Sequence, residues 1–454
     1  MASIPEQYLF SWENCEELGD LERLQLVFSN MPDEKLMQAL REARGNGRDD
    51  NPIRATWNSV LAGIVFEHKS VQSLRRELAR NAQLRELCGF NPLLGTLAIP
   101  SSSAYSRFLI HLMDHQSLVD EIFNDLIRGL QEVLPDFGKE IAFDGKAIES
   151  LAKGRKKDDS NKDSKDDPQK EKAPDKRSDD DADWGVKSYK GSNKDGTVWE
   201  KTKAWFGFRL HLIIDANYEL PVSFELTKAS PGEQPIMRQM FDDLADEHPE
   251  LIDNCDYAMG DKGYDSFDTI KKLWNDHGIK SVIDIKNMWK DGEETRQLKT
   301  QNFENVTHNY KGTVFCHCPK TGNVRELAYG GFEKDRETLK YHCPAKQYGI
   351  ECKGSKQCPI FNKSIRIPLE EDRRIFTPVA RSSYKWKALY NKRSSVERVN
   401  SRLDVSFGFE KHYIRGLKKM KIRCGLALCV MLSMALGRAR QNRMDLIRSL
   451  VKTA

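Results

Sequence analysis

The chain is predicted to be an α/β protein: a mixed five-stranded sheet flanked by helices, with an all-α N-terminal region and a cysteine-bearing insertion. Three observations predict this. Residues 20 to 135 carry apolar side chains at helical spacing in LERLQLVF, IRATWNSVLAGIVFEH, VQSLRREL and FLIHLMDHQSLVDEIFNDLIRGLQEVL. From residue 139 the period changes to short apolar runs and strict alternation, in the order strand, strand, strand, helix, strand, helix, strand. Half of the ten cysteines then fall in one irregular stretch between residues 287 and 385.

Taken in order, GFNPLLGTLAIPSSSA breaks the N-terminal helices into two groups. KEIAFDGKAI is an apolar run too short for a helix and reads as a buried strand carrying Asp144. Residues 152 to 184 have no apolar periodicity, both signs of charge, and Pro and Ser throughout, so a disordered insertion is expected there. KAWFGFRLHLIID and ELPVSFELT alternate apolar and polar residues and form an antiparallel hairpin around Ala216 and Asn217. Ser230, Pro231 and Glu233 read as N-cap, first-turn proline and capping-box acid of the next helix. CDYAMGD is a short strand ending at Asp261, FDTIKKLWNDHG a helix closed by Gly278, and KSVIDIK a last strand. YNKRSSVERVNSRLD is read as a helix on which Tyr390, Arg393, Glu397 and Asp404 share one stripe and Val396, Val399 and Leu403 another. The domains expected are 1–136, helical and DNA-binding; 137–286 with 386–454, catalytic; and 287–385, the insertion.

Composition narrows the function classes. A net charge of +4 with 39% hydrophobic residues describes a globular chain whose overall charge says little about partners. Charge is unevenly spread, however, with Lys411, Arg415, Lys418, Lys419, Lys421 and Arg423 close together. MASIPEQYLF lacks the basic start and apolar run of a signal peptide, so a cytoplasmic location is expected. CGLALCVMLSMALG is shorter than the roughly 20 residues of a membrane span and reads as a core helix.

Singly, each of three acids has an ordinary explanation: Asp144 and Asp261 as turn residues, Glu397 as an i, i+4 partner of Arg393. Together they suggest more, because two of them lie at the ends of apolar strands, where a carboxylate needs a compensating positive charge. Few hard oxygen ligands suit Mg²⁺ or Mn²⁺, and a pair of such ions supports in-line displacement at phosphorus.

FDGKAI around Asp144, the hairpin GFRLHLIID with LPVSFELT, MGDKGYDS around Asp261 and YNKRSSVERVNSRL around Glu397, in this order, resemble the DDE transposases of bacterial insertion sequences. The resemblance covers roughly residues 139 to 445, with RRELARNAQLRELCGF and IPSSSAYSRF similar to the helical N-terminal region of such proteins. It implies a ribonuclease-H-like catalytic domain with Asp144, Asp261 and Glu397 as catalytic metal ligands. It also implies a reaction that cuts double-stranded DNA at terminal inverted repeats and joins 3′-hydroxyls to target DNA, in a homodimeric synaptic complex. One branch of the family carries Tyr, Arg, Glu and Lys on the last helix; Tyr390, Arg393 and Glu397 match, and Asp404 stands where Lys is expected. Arg402 and Lys411 are the candidates to replace that charge, and Tyr390, Arg393, Arg402, Lys411 and Lys418 are the expected DNA contacts. A DNA-binding descendant without strand transfer and a related metal-dependent nuclease are the competing readings.

Cys316, Cys318, Cys343, Cys352 and Cys358 leave two readings open. Four of them form a structural Zn²⁺ site in a segment too poor in apolar residues to fold on packing alone, or all are free thiols.

Overall fold

The computed structural model describes residues 19–45, 50–152, 154, 179–193, 195, 197–301 and 303–450. Among the described residues, seven α-helices come first: α1 Leu21–Asn30, α2 Glu34–Arg44, α3 Ile53–Val65, α4 Val71–Arg80, α5 Ala82–Cys88, α6 Ser102–Asp114 and α7 Gln116–Val133. The strands β1 Glu140–Glu149, β2 Asp183–Ser192, β3 Val198–Asp215 and β4 Leu220–Lys228 follow, then α8 Glu233–Glu247, α9 Pro249–Asn254, β5 Tyr257–Gly260, α10 Phe267–Asn275 and β6 Lys280–Ile283. After the insertion come α12 Tyr384–Lys392, α13 Ser394–Phe407 and α14 Leu417–Arg440.

The predicted fold class is observed. The sheet runs β2-β3-β1-β5-β6, with β4 also paired to β3. β1 is antiparallel to β3 and parallel to β5, and β5 is parallel to β6. Aromatic packing seats the helices on the sheet. Phe224 of β4 meets Phe123 of α7 edge-on at 5.0 Å, and Phe143 of β1 meets Phe241 of α8 at 5.6 Å. α14 is buried along its length, as the sequence predicts for its apolar stretch. It is the one described helix long and apolar enough to cross a membrane, and it serves here as the central core helix. One hydrophobic core runs from Leu21 to Leu450, joining the N-terminal helices to the sheet.

Two boundaries differ from those read in the sequence. Most of the charged segment, residue 153 and residues 155–178, lies outside the described residues, but its predicted end at 184 falls inside a strand. β2 pairs with an N-terminal extension of β3, from Asp183 opposite Gly207 to Ser192 opposite Val198. Polar Lys and Glu side chains on this exposed arm hide the alternation that marks a half-buried strand. Gly207 is the point where the partners of β3 change, and a Cβ there would stand 2.2 Å from the Ile148 carbonyl oxygen. Only glycine permits that approach.

The insertion also departs from expectation. It contains β7 Arg296–Gln297, β8 Val306–His308, β9 Val314–His317, β10 Val324–Glu326, β11 Ala328–Glu333, β12 Thr338–His342, α11 Pro344–Tyr348 and β13 Ile365–Pro368. These form two small sheets, β10-β9-β8-β7 and β11-β12-β13. Val306, Leu339, Tyr341, Ile360, Ile367 and Phe376 build a second core against Trp274 of α10. The segment is therefore not too poor in apolar residues to pack; its apolar residues are scattered in sequence and gathered by pairing.

Candidate active site

Asp144 and Asp261 meet through strand register. β1 and β5 are parallel neighbours with Phe143 opposite Gly260, so the next residue on each chain is one of the two acids. The Asp144 Oδ1 accepts from the Gly145 N–H at 2.8 Å, and the Asp261 Oδ1 from the Gly263 N–H at 2.6 Å, closing the turn after β5. Burial pushes the Asp144 carboxyl up to about 6, assisted by the charges of Asp261 and Glu233 and opposed by Lys187 and the Gly145 N–H. The balance is short of positive charge.

Glu397 sits in the first turn of α13, with Val396, Val399 and Leu403 buried beneath it as predicted. The single helix predicted around it is two, because the hydrogen-bond ladder breaks at Arg393 although that residue keeps helical φ and ψ. Tyr390 therefore lies in the last turn of α12 and stacks on Trp386 at 4.6 Å. The Arg393 Nη2 is 2.9 Å from the Glu397 Oε1. Burial works against the Arg393 charge, and Glu397, Tyr390 and Asp144 outweigh it, so the guanidinium is held above its ordinary range. Arg393 thus stands where both Glu397 and Asp144 act on it. Among the described residues, no three His, Cys, Asp or Glu side chains are drawn together closely enough to hold a metal ion. The three acids are not a preformed cage.

Every cation immediately around Glu397 has a partner. Lys392 pairs with Glu140 and reaches the Asn217 Oδ1 at 3.0 Å. Arg398 donates through Nε to the Glu219 Oε1 at 2.7 Å, Arg402 pairs with the same carboxylate, and the Arg448 Nη1 lies 3.3 Å from it. Arg402, expected to contact DNA, is here a largely buried guanidinium joined to a buried Glu219, and it pins α13 to the β3–β4 turn. Lys411 and Lys418 are exposed, as DNA contacts must be. Glu219→Gln removes the charge shared by three arginines and is expected to cost about 2–4 kcal/mol. Urea unfolding of the variant checks this, an unchanged midpoint being the contrary result.

Asp404, the departure from the resembled pattern, faces Lys146. The two form a partly buried ion pair, with side chains 23% and 12% exposed. Lys146 lies two residues beyond Asp144, hence on the same face of β1. The cation at this point stands on the strand, opposite the acid on the helix.

Several polar residues beside the acids were not found by sequence reasoning. Glu233 was read as a capping-box acid, but Gly232 is the N-cap of α8 and no side chain caps it. The Glu233 Oε1 instead lies 3.3 Å from the Nη1 of buried Arg209, and a Cβ on Gly145 would stand 3.1 Å from it. Tyr264 is fully buried with no partner for its hydroxyl. Burial, then Glu233, Asp144 and Asp261, hold that hydroxyl well above its ordinary range. Glycine after Asp144, in FDGK, is the one sequence signal of a crowded neighbour at this point.

The five cysteines of the insertion line one cavity with His317, Thr321 and Arg325. The Cys318 and Cys352 sulfurs are 3.9 Å apart, and the Asn305 amide donates to the Cys358 sulfur at 3.6 Å.

No curated protein matches the chain. Among solved structures it is similar to the cryo-EM structure of a piggyBac transposase synaptic complex with hairpin DNA, at 11% identity and a TM-score of 0.38 over 95% of this chain and 79% of that one. That likeness is too distant to bear on any residue. The family model described as the Transposase DDE domain matches residues 163–433, beginning after Asp144 and taking in Asp261 and Glu397. With more than half of its length so matched, the chain belongs to the DDE transposase family.

Proposed function

We propose that the chain is a transposase that cuts double-stranded DNA at the ends of a bacterial insertion sequence and joins the 3′-hydroxyl ends to target DNA. The observation that carries this reading is the pair Asp144, midway along β1 where its parallel pairing with β5 stops, and Asp261, just beyond the end of β5, one carboxyl pushed up to about 6 by burial and by the other's charge. Hard oxygen donors with a local deficit of positive charge fit Mg²⁺ or Mn²⁺. Asp144 and Asp261 would hold such ions, with Glu397 as the third ligand. Bound there, two ions would activate the attacking oxygen and stabilise the leaving one during displacement at phosphorus.

The chain's own residues do the rest. Arg393 keeps Glu397 occupied in the free protein, and a DNA phosphate that takes Arg393 releases Glu397 toward the two aspartates. Lys411 and Lys418 position the duplex through its phosphates, without reading sequence. Two element ends require two active sites, which makes a homodimer the expected synaptic assembly.

The test is nicking and joining of a DNA fragment carrying the element's end. Glu397→Gln is expected to bind that fragment with wild-type affinity and to lose cleavage and joining together. Lys411→Ala and Lys418→Ala are expected to weaken binding and reduce the salt slope by about one each. Cutting without joining would identify a nuclease. Binding with neither reaction in the unsubstituted protein would identify a DNA-binding descendant. Wild-type joining by Glu397→Gln would leave Glu397 as nothing more than the surface partner of Arg393.

A further inference from the structure

We propose that Cys318, Cys343, Cys352 and Cys358 hold one structural Zn²⁺ that ties the β9–β10 hairpin to the irregular loop after α11. Residues 349–364 contain neither helix nor strand, and from them Ile360 alone is fully buried in the second core. Packing therefore explains the sheets of the insertion but not what fixes this loop. Two of the four thiols lie within it, and all four line the one cavity between loop and hairpin.

The 3.9 Å between the Cys318 and Cys352 sulfurs decides between chemistries. A disulfide needs about 2.05 Å between sulfurs. Two thiolates on one tetrahedral zinc, each about 2.3 Å from the metal, stand about 3.8 Å apart. The pair already has the zinc separation, and the two segments that carry it are also tied by the Arg325 Nη1, which donates to the Glu351 carbonyl oxygen at 3.0 Å. Gly354 lets the loop backbone close on Cys318, since a Cβ there would meet that sulfur at 2.7 Å.

Local bonding prepares the ligand. The Cys318 sulfur is met by the Thr321 hydroxyl and by the Lys320 and Thr321 backbone N–H groups. Cys316 is the cysteine left out. One residue separates it from Cys318, whereas paired zinc ligands are typically two to four residues apart. Cys343 and Cys358 line the same cavity and would complete the site when zinc draws their side chains toward the Cys318–Cys352 pair, since three donors do not already stand together there among the described residues.

Elemental analysis of protein purified without added metal is expected to give about one zinc per chain, as a four-ligand site requires. Cys318→Ser, Cys343→Ser, Cys352→Ser and Cys358→Ser should each fall below about a tenth of that content, while Cys316→Ser keeps it. Should a variant fail to fold, the unsubstituted protein decides. Exchange with Co²⁺ should give the absorption of a tetrahedral thiolate site, and a mercurial thiol reagent should release zinc in step with four titrated sulfurs. Chelator should hasten proteolysis within 349–364 and leave the sheets protected. Folded protein without zinc, a Cys318–Cys352 disulfide in freshly purified protein, or zinc lost in Cys316→Ser but kept in Cys343→Ser would overturn the proposal.

Discussion

At neutral pH, Asp144→Asn is expected to melt about 3–6 °C above the unsubstituted protein, while DNA cleavage falls on the order of 10³-fold or more. The two effects share one cause. The folded chain holds the Asp144 proton up to about pH 6, whereas an ordinary aspartate releases it near 3.8. Between those values the folded state binds more protons than the unfolded state, so stability falls as pH rises through that window. Above about pH 6 the full cost, roughly 3 kcal/mol, is present. Asparagine keeps the shape and carries no charge, so it escapes the cost and also removes the cation ligand. Melting at pH 7.5 and at pH 4 checks the sign: the advantage of the variant should be large at the first and nearly gone at the second. Mg²⁺ should raise the melting temperature of the unsubstituted protein at pH 7.5, by binding the folded state alone, and not that of Asp144→Asn. A variant less stable than its parent at pH 7.5 would mean that Asp144 is a satisfied structural acid.

How much of this was legible depended on whether a residue's environment is set by its near neighbours in the chain. Phe208, Leu210 and Leu212 alternate with Arg209 and His211, and although all five are buried in the structure, that period of two made the strand readable. β2 and the outer half of β3 stand exposed, so pairing fixes them without leaving an apolar signature. Asp144 and Asp261 were legible because an acid following an apolar run is conspicuous, but the strand read as ending at Asp144 continues to Glu149, held by pairing with β3 rather than by apolar side chains. The role of Arg402 was not, because its partner Glu219 lies 183 residues away. Glu233 illustrates a local rule losing to tertiary context: its spacing from Ser230 fits a capping box, yet buried Arg209 attracts it more strongly than an exposed helix end does. The second core of the insertion was missed for a related reason, since Val306, Leu339, Ile367 and Phe376 meet only after the strands pair. That the cysteines share one cavity is likewise a product of pairing.

The second large effect is expected at Lys146 and Asp404. Asp404→Lys would place two cations face to face, and Lys146→Asp two anions, one of them two residues from Asp144. Each single change is expected to cost about 3–5 kcal/mol, because it strands a partly buried charge opposite one of like sign. The pair also joins β1, which carries Asp144, to α13, which carries Glu397. Each single variant should therefore lose strand joining along with stability. Exchanging both residues restores opposite charges and moves the cation to the helix, where the related branch of the family has it. Stability of the exchanged protein should return to within about 1–2 kcal/mol of the parent, giving a coupling larger than the few tenths shown by independent sites. Joining activity should recover with it if the pair's role is to hold the helix across the strand. A double variant whose loss equals the sum of the two single losses would show that α13 is held by the Glu219 arginines and its apolar stripe, with Lys146 and Asp404 as mere neighbours.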